Sequence, residues 1–162
     1  MEEEVKTSRA WLLDFGGSLQ AAVGHHEMWQ VILSPTLFDI PSTPTYCNNV
    51  LVFQGHILPV INLPNLLGQK SISLVDKGVV GIAAFQDNPT HPICYGCLHL
   101  ASMPQNIYVK DDSACELSDE KRFWEPLAIS SFAHEDRVIP IINLATLFSE
   151  NIARIVKKGE VR

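Results

Sequence analysis

One pattern occurs twice in this chain, and it constrains the fold more than any other feature. Gly55-His-Ile-Leu-Pro-Val-Ile-Asn-Leu-Pro-Asn-Leu-Leu-Gly68 is answered by Arg137-Val-Ile-Pro-Ile-Ile-Asn-Leu-Ala-Thr-Leu-Phe148. Pro59 corresponds to Pro140, Asn62 to Asn143, Leu63 to Leu144 and Leu66 to Leu147, every pair 81 positions apart. Each copy reads as a buried β-strand, an Asn that caps a helix, and a short leucine-rich turn folding back onto the core. In a chain of 162 residues, one signature recurring at half the length predicts two similar halves.

Composition limits what those halves do. A hydrophobic fraction of 46% and a charged fraction of 19% suffice for a core and are too apolar for disorder. The formal net charge of -6 and the scattered basic residues argue against nucleic acid and against anionic membrane surfaces, which need a concentrated Lys/Arg face. No apolar run approaches the ~20 residues of a membrane-spanning helix. The acidic start, Met1-Glu-Glu-Glu, lacks the apolar stretch of a secretory signal. The chain is therefore expected to be cytoplasmic, with Cys47, Cys94, Cys97 and Cys115 reduced.

Short apolar runs punctuated by Gly and Pro predict a mainly β protein. Trp11–Phe15 and Leu19–Val23 read as a hairpin around Gly16-Gly17, and Trp29–Leu33 as a strand with imperfect alternation. Residues 34–45, with Pro35, Pro41 and Pro44, read as an extended loop. Further strands are expected at Val50–Phe53, Ile57–Ile61, Leu74–Asp76, Val79–Phe85, Ile93–Leu100, Ile107–Val109, Leu127–Phe132 and Val138–Ile142. Ser118 reads as the cap of a helical turn, and Leu144–Lys158 as a final helix. Residues 1–9 are expected to form a disordered tail, 10–150 a single domain, and 151–162 a C-terminal helix or tail.

Catalytic motifs are lacking. The chain has no Gly-x-Ser-x-Gly elbow, no phosphate-cradling loop and no His-Glu-x-x-His, so no catalytic residues and no cofactor are assigned. The adjacent His25-His26-Glu27 reads as a polar hairpin tip. The cluster His91-Pro-Ile-Cys94-Tyr-Gly-Cys97-Leu-His99 holds a zinc half-site spacing, with Cys115 as a further ligand. A strand turns residues three apart to opposite faces, so Cys94 and Cys97 read as small core residues and no metal is assigned. A small zinc-stabilised domain using this pair stays the alternative from a different class. Trp11, Trp29 and Trp124 read as core first and interface anchors second.

With Val50, Gly55, Leu58, Pro59, Val60, Ile61 and Leu63 in register, the chain resembles the CheW-like adaptor family of bacterial chemosensory arrays. Trp11–Phe15 with Gly16-Gly17, Met28–Ile32, the loop of Pro41 and Pro44, and Arg137–Phe148 extend the resemblance over about residues 10–150. The resemblance implies two intertwined SH3-like five-stranded β-barrel subdomains. It implies a non-catalytic adaptor coupling a chemoreceptor of the methyl-accepting type to the regulatory domain of a sensory histidine kinase. A variant serving a type IV pilus (twitching) system with a changed receptor is the alternative within the same class. Partner contact is expected at Trp29, Val31, Asn49, Val52, Gln54 and Gly55. Several of these depart from the family pattern: Asn49 replaces Gly, Val52 replaces Asn, Gln54 replaces Arg and Val31 replaces Glu. Asn62 likewise stands for Asp. Core positions match while surface polar positions differ, the pattern of one fold serving an altered partner.

Overall fold

The computed structural model describes residues 6–69 and 78–160. It is mainly β, and the chain divides into two interleaved units. The first comprises the residues up to Leu13, Gln20–His25 and the residues from Pro104 onward; the second comprises Asp14–Leu19 and His26–Met103.

The first unit carries a five-stranded sheet. Its strands are β1 (Thr7–Asp14), β2 (Gln20–Gly24), β9 (Gln105–Lys110), β10 (Ala128–His134) and β11 (Arg137–Ile142), in the order β10-β11-β2-β1-β9. The second unit carries β3 (Met28–Leu33), β4 (Leu37–Asp39), β5 (Asn49–Phe53), β6 (His56–Ile61), β7 (Val79–Phe85) and β8 (Cys94–Leu100), in the order β3-β7-β8-β6-β5-β4. The helices are short: α1 (Leu63–Leu66), α2 (Leu144–Leu147) and α3 (Ile152–Glu160).

The repeat is structural, and it extends well beyond the quoted motif. In the β5–β6 hairpin Val52 faces Ile57, Leu51 faces Leu58, Val50 faces Pro59 and Asn49 faces Val60. In the β10–β11 hairpin the residues 81 positions later form the same pairs: Ala133 with Val138, Phe132 with Ile139, Ser131 with Pro140 and Ser130 with Ile141. Val60 pairs in parallel with Cys97, and its counterpart Ile141 pairs in parallel with Ala22. The Asn62 amide donates to the Tyr46 carbonyl at 2.8 Å, and the Asn143 amide to the Leu127 carbonyl, again 81 positions on, at 2.7 Å. Asn62 Oδ1 accepts from the Asn65 amide at 3.1 Å and Asn143 Oδ1 from the Thr146 amide at 3.2 Å, so both capping asparagines act as expected. Each sheet thus has the order hairpin, parallel neighbour, then two more strands, and the second adds β4 at its edge.

Each unit has its own apolar cluster. Ala10, Leu12, Ala22, Ile107, Phe132 and Ile139 fill the first; Leu51, Leu58, Val60, Val80, Ile82 and Cys97 fill the second. Burial at ~25 cal/mol per Å² of apolar surface makes each cluster stabilising, and further large side chains, among them Leu98, Leu127, Leu144 and Trp124, are also fully buried.

Several expectations are corrected. Residues 34–45 contain a strand after all, because Pro35 and Pro41 only bracket β4, and an edge strand needs one bonded side. The second sheet has six strands rather than five for that reason. The first strand begins at Thr7, so Thr7, Ser8 and Arg9 belong to the sheet and not to a tail; Phe15 lies beyond its end. The turn after it uses Ser18 as well as the two glycines, all at positive φ. Ser118 has extended backbone geometry but makes no capping side-chain bond, and Asp119–Leu127 is 3₁₀ rather than α. The helix expected over Leu144–Lys158 is broken. Ser149 Oγ donates to the Thr146 carbonyl at 2.6 Å, taking over a group that a continuing helix would have used. The strand expected at Leu74–Asp76 lies outside the described residues. Among the described residues no helix is long and apolar enough to cross a membrane.

Candidate functional site

The second unit's concave face ends in an aromatic mouth. Phe53 continues the inward row of Leu51 on β5, and Tyr95 continues the inward row of Cys97 on β8. Trp29 arrives from β3 by a different device. Met28 pairs with Ala83 and Gln30 with Ile82, leaving Trp29 as the extra residue of a β-bulge. A bulge re-aims a side chain, and it explains the imperfect alternation of Trp29–Leu33. The indole meets Phe53 edge-on at 5.5 Å between centroids and Tyr95 at 4.8 Å. β7, between β3 and β8, presents Ala84 opposite Tyr95, small enough for the two rings to meet over it. Trp29, Phe53, Gln54, His56, Leu58 and Tyr95 line a cleft of about 300 Å³. Trp29 stays 47% exposed, an unusual state for so large an apolar ring.

The first unit supplies an internal control. By the 81-residue offset and the shared pairing, the counterparts of Phe53, His56 and Tyr95 are His134, Arg137 and Gln20. There Arg137 Nη1 donates to Gln20 Oε1 at 2.9 Å, so polar groups bonded to each other stand where the second unit has Tyr95 and His56. The fold is satisfied by that arrangement. The exposed rings of the second unit are therefore not demanded by the architecture, and they mark this mouth as the candidate interface.

The six expected contact residues are only partly brought together. Trp29 and Gln54 share the cleft. Gln54 and Gly55, at φ 50° and 81°, form the two-residue turn joining β5 to β6. Val52 belongs to the opposite face of β5, where it is 51% exposed and pairs with Ile57, 71% exposed. Phe38 and Pro59 flank Val50 on that outer face. Asn49 sits at the far end of β5, where its Nδ2 donates to Asp39 Oδ1 at 2.5 Å. Val31 is half-buried on β3, opposite Gly81. Sequence reasoning missed Phe53, Tyr95, His56 and Leu58. Phe53 and Leu58 lay within strands read as core, and Tyr95 within the strand Ile93–Leu100, whose cysteines drew a metal reading that was set aside. Their common face follows only from the pairing of β5, β6 and β8.

The other sequence candidates find structural settings. Cys94 is exposed and Cys97 fully buried on β8, with Gly96 in regular strand geometry, so the two sulfurs point to opposite faces. Burial pushes the Cys97 thiol up to about 12 and holds His99 below its ordinary value. No three His, Cys, Asp or Glu side chains among the described residues are grouped to hold a metal ion. His25–Glu27 forms a 3₁₀ turn, where His25 stacks on Trp11 at 5.7 Å and its carbonyl accepts from the Trp11 indole at 3.1 Å. Trp124 is core.

No protein-family model matches the chain, and no curated protein matches it in sequence. Among solved structures it is similar to the scaffolding protein TtCheW from Thermoanaerobacter tengcongensis. The TM-score is 0.71 at 16% identity, over 90% of this chain and 95% of that one. The two chains share a fold: the chain has a CheW-like architecture.

Proposed function

We propose that this chain is a non-catalytic adaptor of a chemosensory pathway, coupling a chemoreceptor to the regulatory domain of a sensory histidine kinase in the cytoplasm. The observation that carries this reading is the aromatic mouth of Trp29, Phe53 and Tyr95 on a scaffolding-protein fold, at a position the sister unit fills with Gln20, His134 and Arg137. Exposed aromatic anchors beside a turn serve association by burial, and association needs no reactive side chain. Gln54 offers a neutral amide where the family has an Arg, so the adaptor engages its partner with less charge and more apolar contact.

Titration calorimetry against the regulatory domain of the same organism's histidine kinase tests the proposal. Binding in the micromolar range, about -8 kcal/mol, is expected, weakened about tenfold or more in Trp29→Ala. Absence of heat at about 100 µM of both proteins would overturn the coupling role while leaving the fold intact.

A further inference from the structure

β3 is an edge strand of its sheet, with β7 on one side and, among the described residues, no strand on the other. No residue of β3 is fully buried, and among the described residues the strand that pairs with Met28–Leu33 is β7. Sheet edges are ordinarily blunted by charge, proline, shortness or cover, because their free N–H and C=O groups accept further strands. The other edges follow that rule. β4 is three residues long and ends in Asp39; β9 ends in Lys110; β10 is met by Ala114 in an isolated bridge to Phe132. β3 differs. Its sequence, Met-Trp-Gln-Val-Ile-Leu, holds no charge and no proline, and its bulge lies only at Trp29. Gln30–Leu33 keeps regular register with Ile82–Val79 and is an open edge among the described residues, with Leu33 largely exposed at its end.

The aromatic cleft lies at the bulged end of this edge, and Trp29 belongs to both. A row of free backbone groups beside a side-chain pocket is the construction by which sheet edges recognise extended peptides. Ladder bonds give affinity, and the pocket selects every second side chain. We propose that β3 accepts an extended, uncharged segment of a partner protein as an added strand, with one aromatic or large aliphatic side chain seated among Trp29, Phe53 and Tyr95. The lining of the cleft contains no carboxylate, lysine or arginine, which sets the neutral chemistry of that segment. A second folded copy of this chain is the poorer occupant. Four regular residues extend about 13 Å, a ladder that suits a short peptide, whereas a stable dimer buries ~800 Å² per partner and would need a wider contact than this edge and cleft.

The inference stands on β3 and the cleft, independently of the kinase. The probe is a synthetic peptide, acetyl-Ser-Thr-Val-Phe-Val-Thr-Val-Ser-amide, added to the full chain and followed by amide NMR. Saturable shifts at Gln30–Leu33 and at the Trp29 indole are expected. Gln30→Lys, which charges an exposed edge position, and Trp29→Ala should each weaken binding about tenfold. The same peptide N-methylated at alternate residues tests the ladder directly. In one of the two registers its loss of donors should abolish the shifts. No saturation by about 1 mM peptide overturns the proposal. So does equal binding of both N-methylated forms, or shifts confined to Val52 and Ile57. Kinase binding without peptide binding rejects this inference alone; peptide binding without kinase binding rejects the adaptor role alone.

Discussion

Asn62 and Asn143 each hold the first turn of a four-residue helix through a side-chain oxygen, and each passes its own amide to a carbonyl of a preceding turn. Replacing either with Ala removes one cap, so N62A and N143A should each lose about 1 kcal/mol in urea denaturation. Near-equal losses are expected because the two settings match bond for bond. A second residue-scale prediction concerns β8, where Cys97 and His99 lie on the same side of the strand. Burial favours the neutral form of both. The unfolded chain ionises the thiol near 9.0 while the fold holds it protonated to about 12, so stability falls as pH rises above 9.0. For His99 the folded value lies below 6.5, so its contribution is lost as pH falls through that value. Urea midpoints should show a plateau between these limits, and Cys97→Ala should flatten the alkaline limb. Thiol labelling at pH 8 should modify Cys94 and Cys115 quickly and spare Cys97.

At the scale of elements, the two equivalent hairpins use different chemistry for one backbone shape. Gln54-Gly55 and Glu135-Asp136 all have positive φ, the shape of a two-residue turn matching strand twist. Only Gly55 adopts it without strain. Nothing lies within 4 Å of a Cβ built there, so Gly55→Ala carries a purely conformational cost of about 1 kcal/mol. Asp136→Gly, by the same reasoning, should raise stability by a similar ~1 kcal/mol, visible as a Tm increase of a few degrees. Elements of this kind were legible: the capped corners, the Gly-bearing turns and most strands follow from local pattern. The misses have a common cause. β4 hid behind prolines that sit outside its bonded side, and the break after α2 depends on Ser149 turning back to the Thr146 carbonyl, a choice between two acceptable hydrogen bonds. Trp29's bulge left a trace in the sequence, an alternation out of phase, but its direction needs the β7 partner.

For the whole molecule, the repeat determines how the candidate site is to be tested. The half-length signature predicted two similar halves, and the hairpin registers agree pair by pair at the same offset. What the sequence alone could not supply is the contrast between the halves, because His134, Arg137 and Gln20 become comparable with Phe53, His56 and Tyr95 only once the strands are aligned in space. The contact residues inferred from motif positions were scattered for a related reason: neighbours along β5 alternate faces, so Val52 and Gln54 cannot serve one flat surface. Two apolar areas result, the mouth around Trp29 and the outer face of Phe38, Val52 and Ile57. A rigid partner seated in the mouth leaves the outer face free. In calorimetry with the kinase regulatory domain, Trp29→Ala should weaken binding about tenfold or more and Val52→Lys should change it by less than about twofold. Both positions are exposed, so circular dichroism should show both variants folded. The reverse order of effects would move the kinase to the outer face and leave the aromatic mouth to a different partner, because the face opposite Phe53 is the only one Val52 occupies.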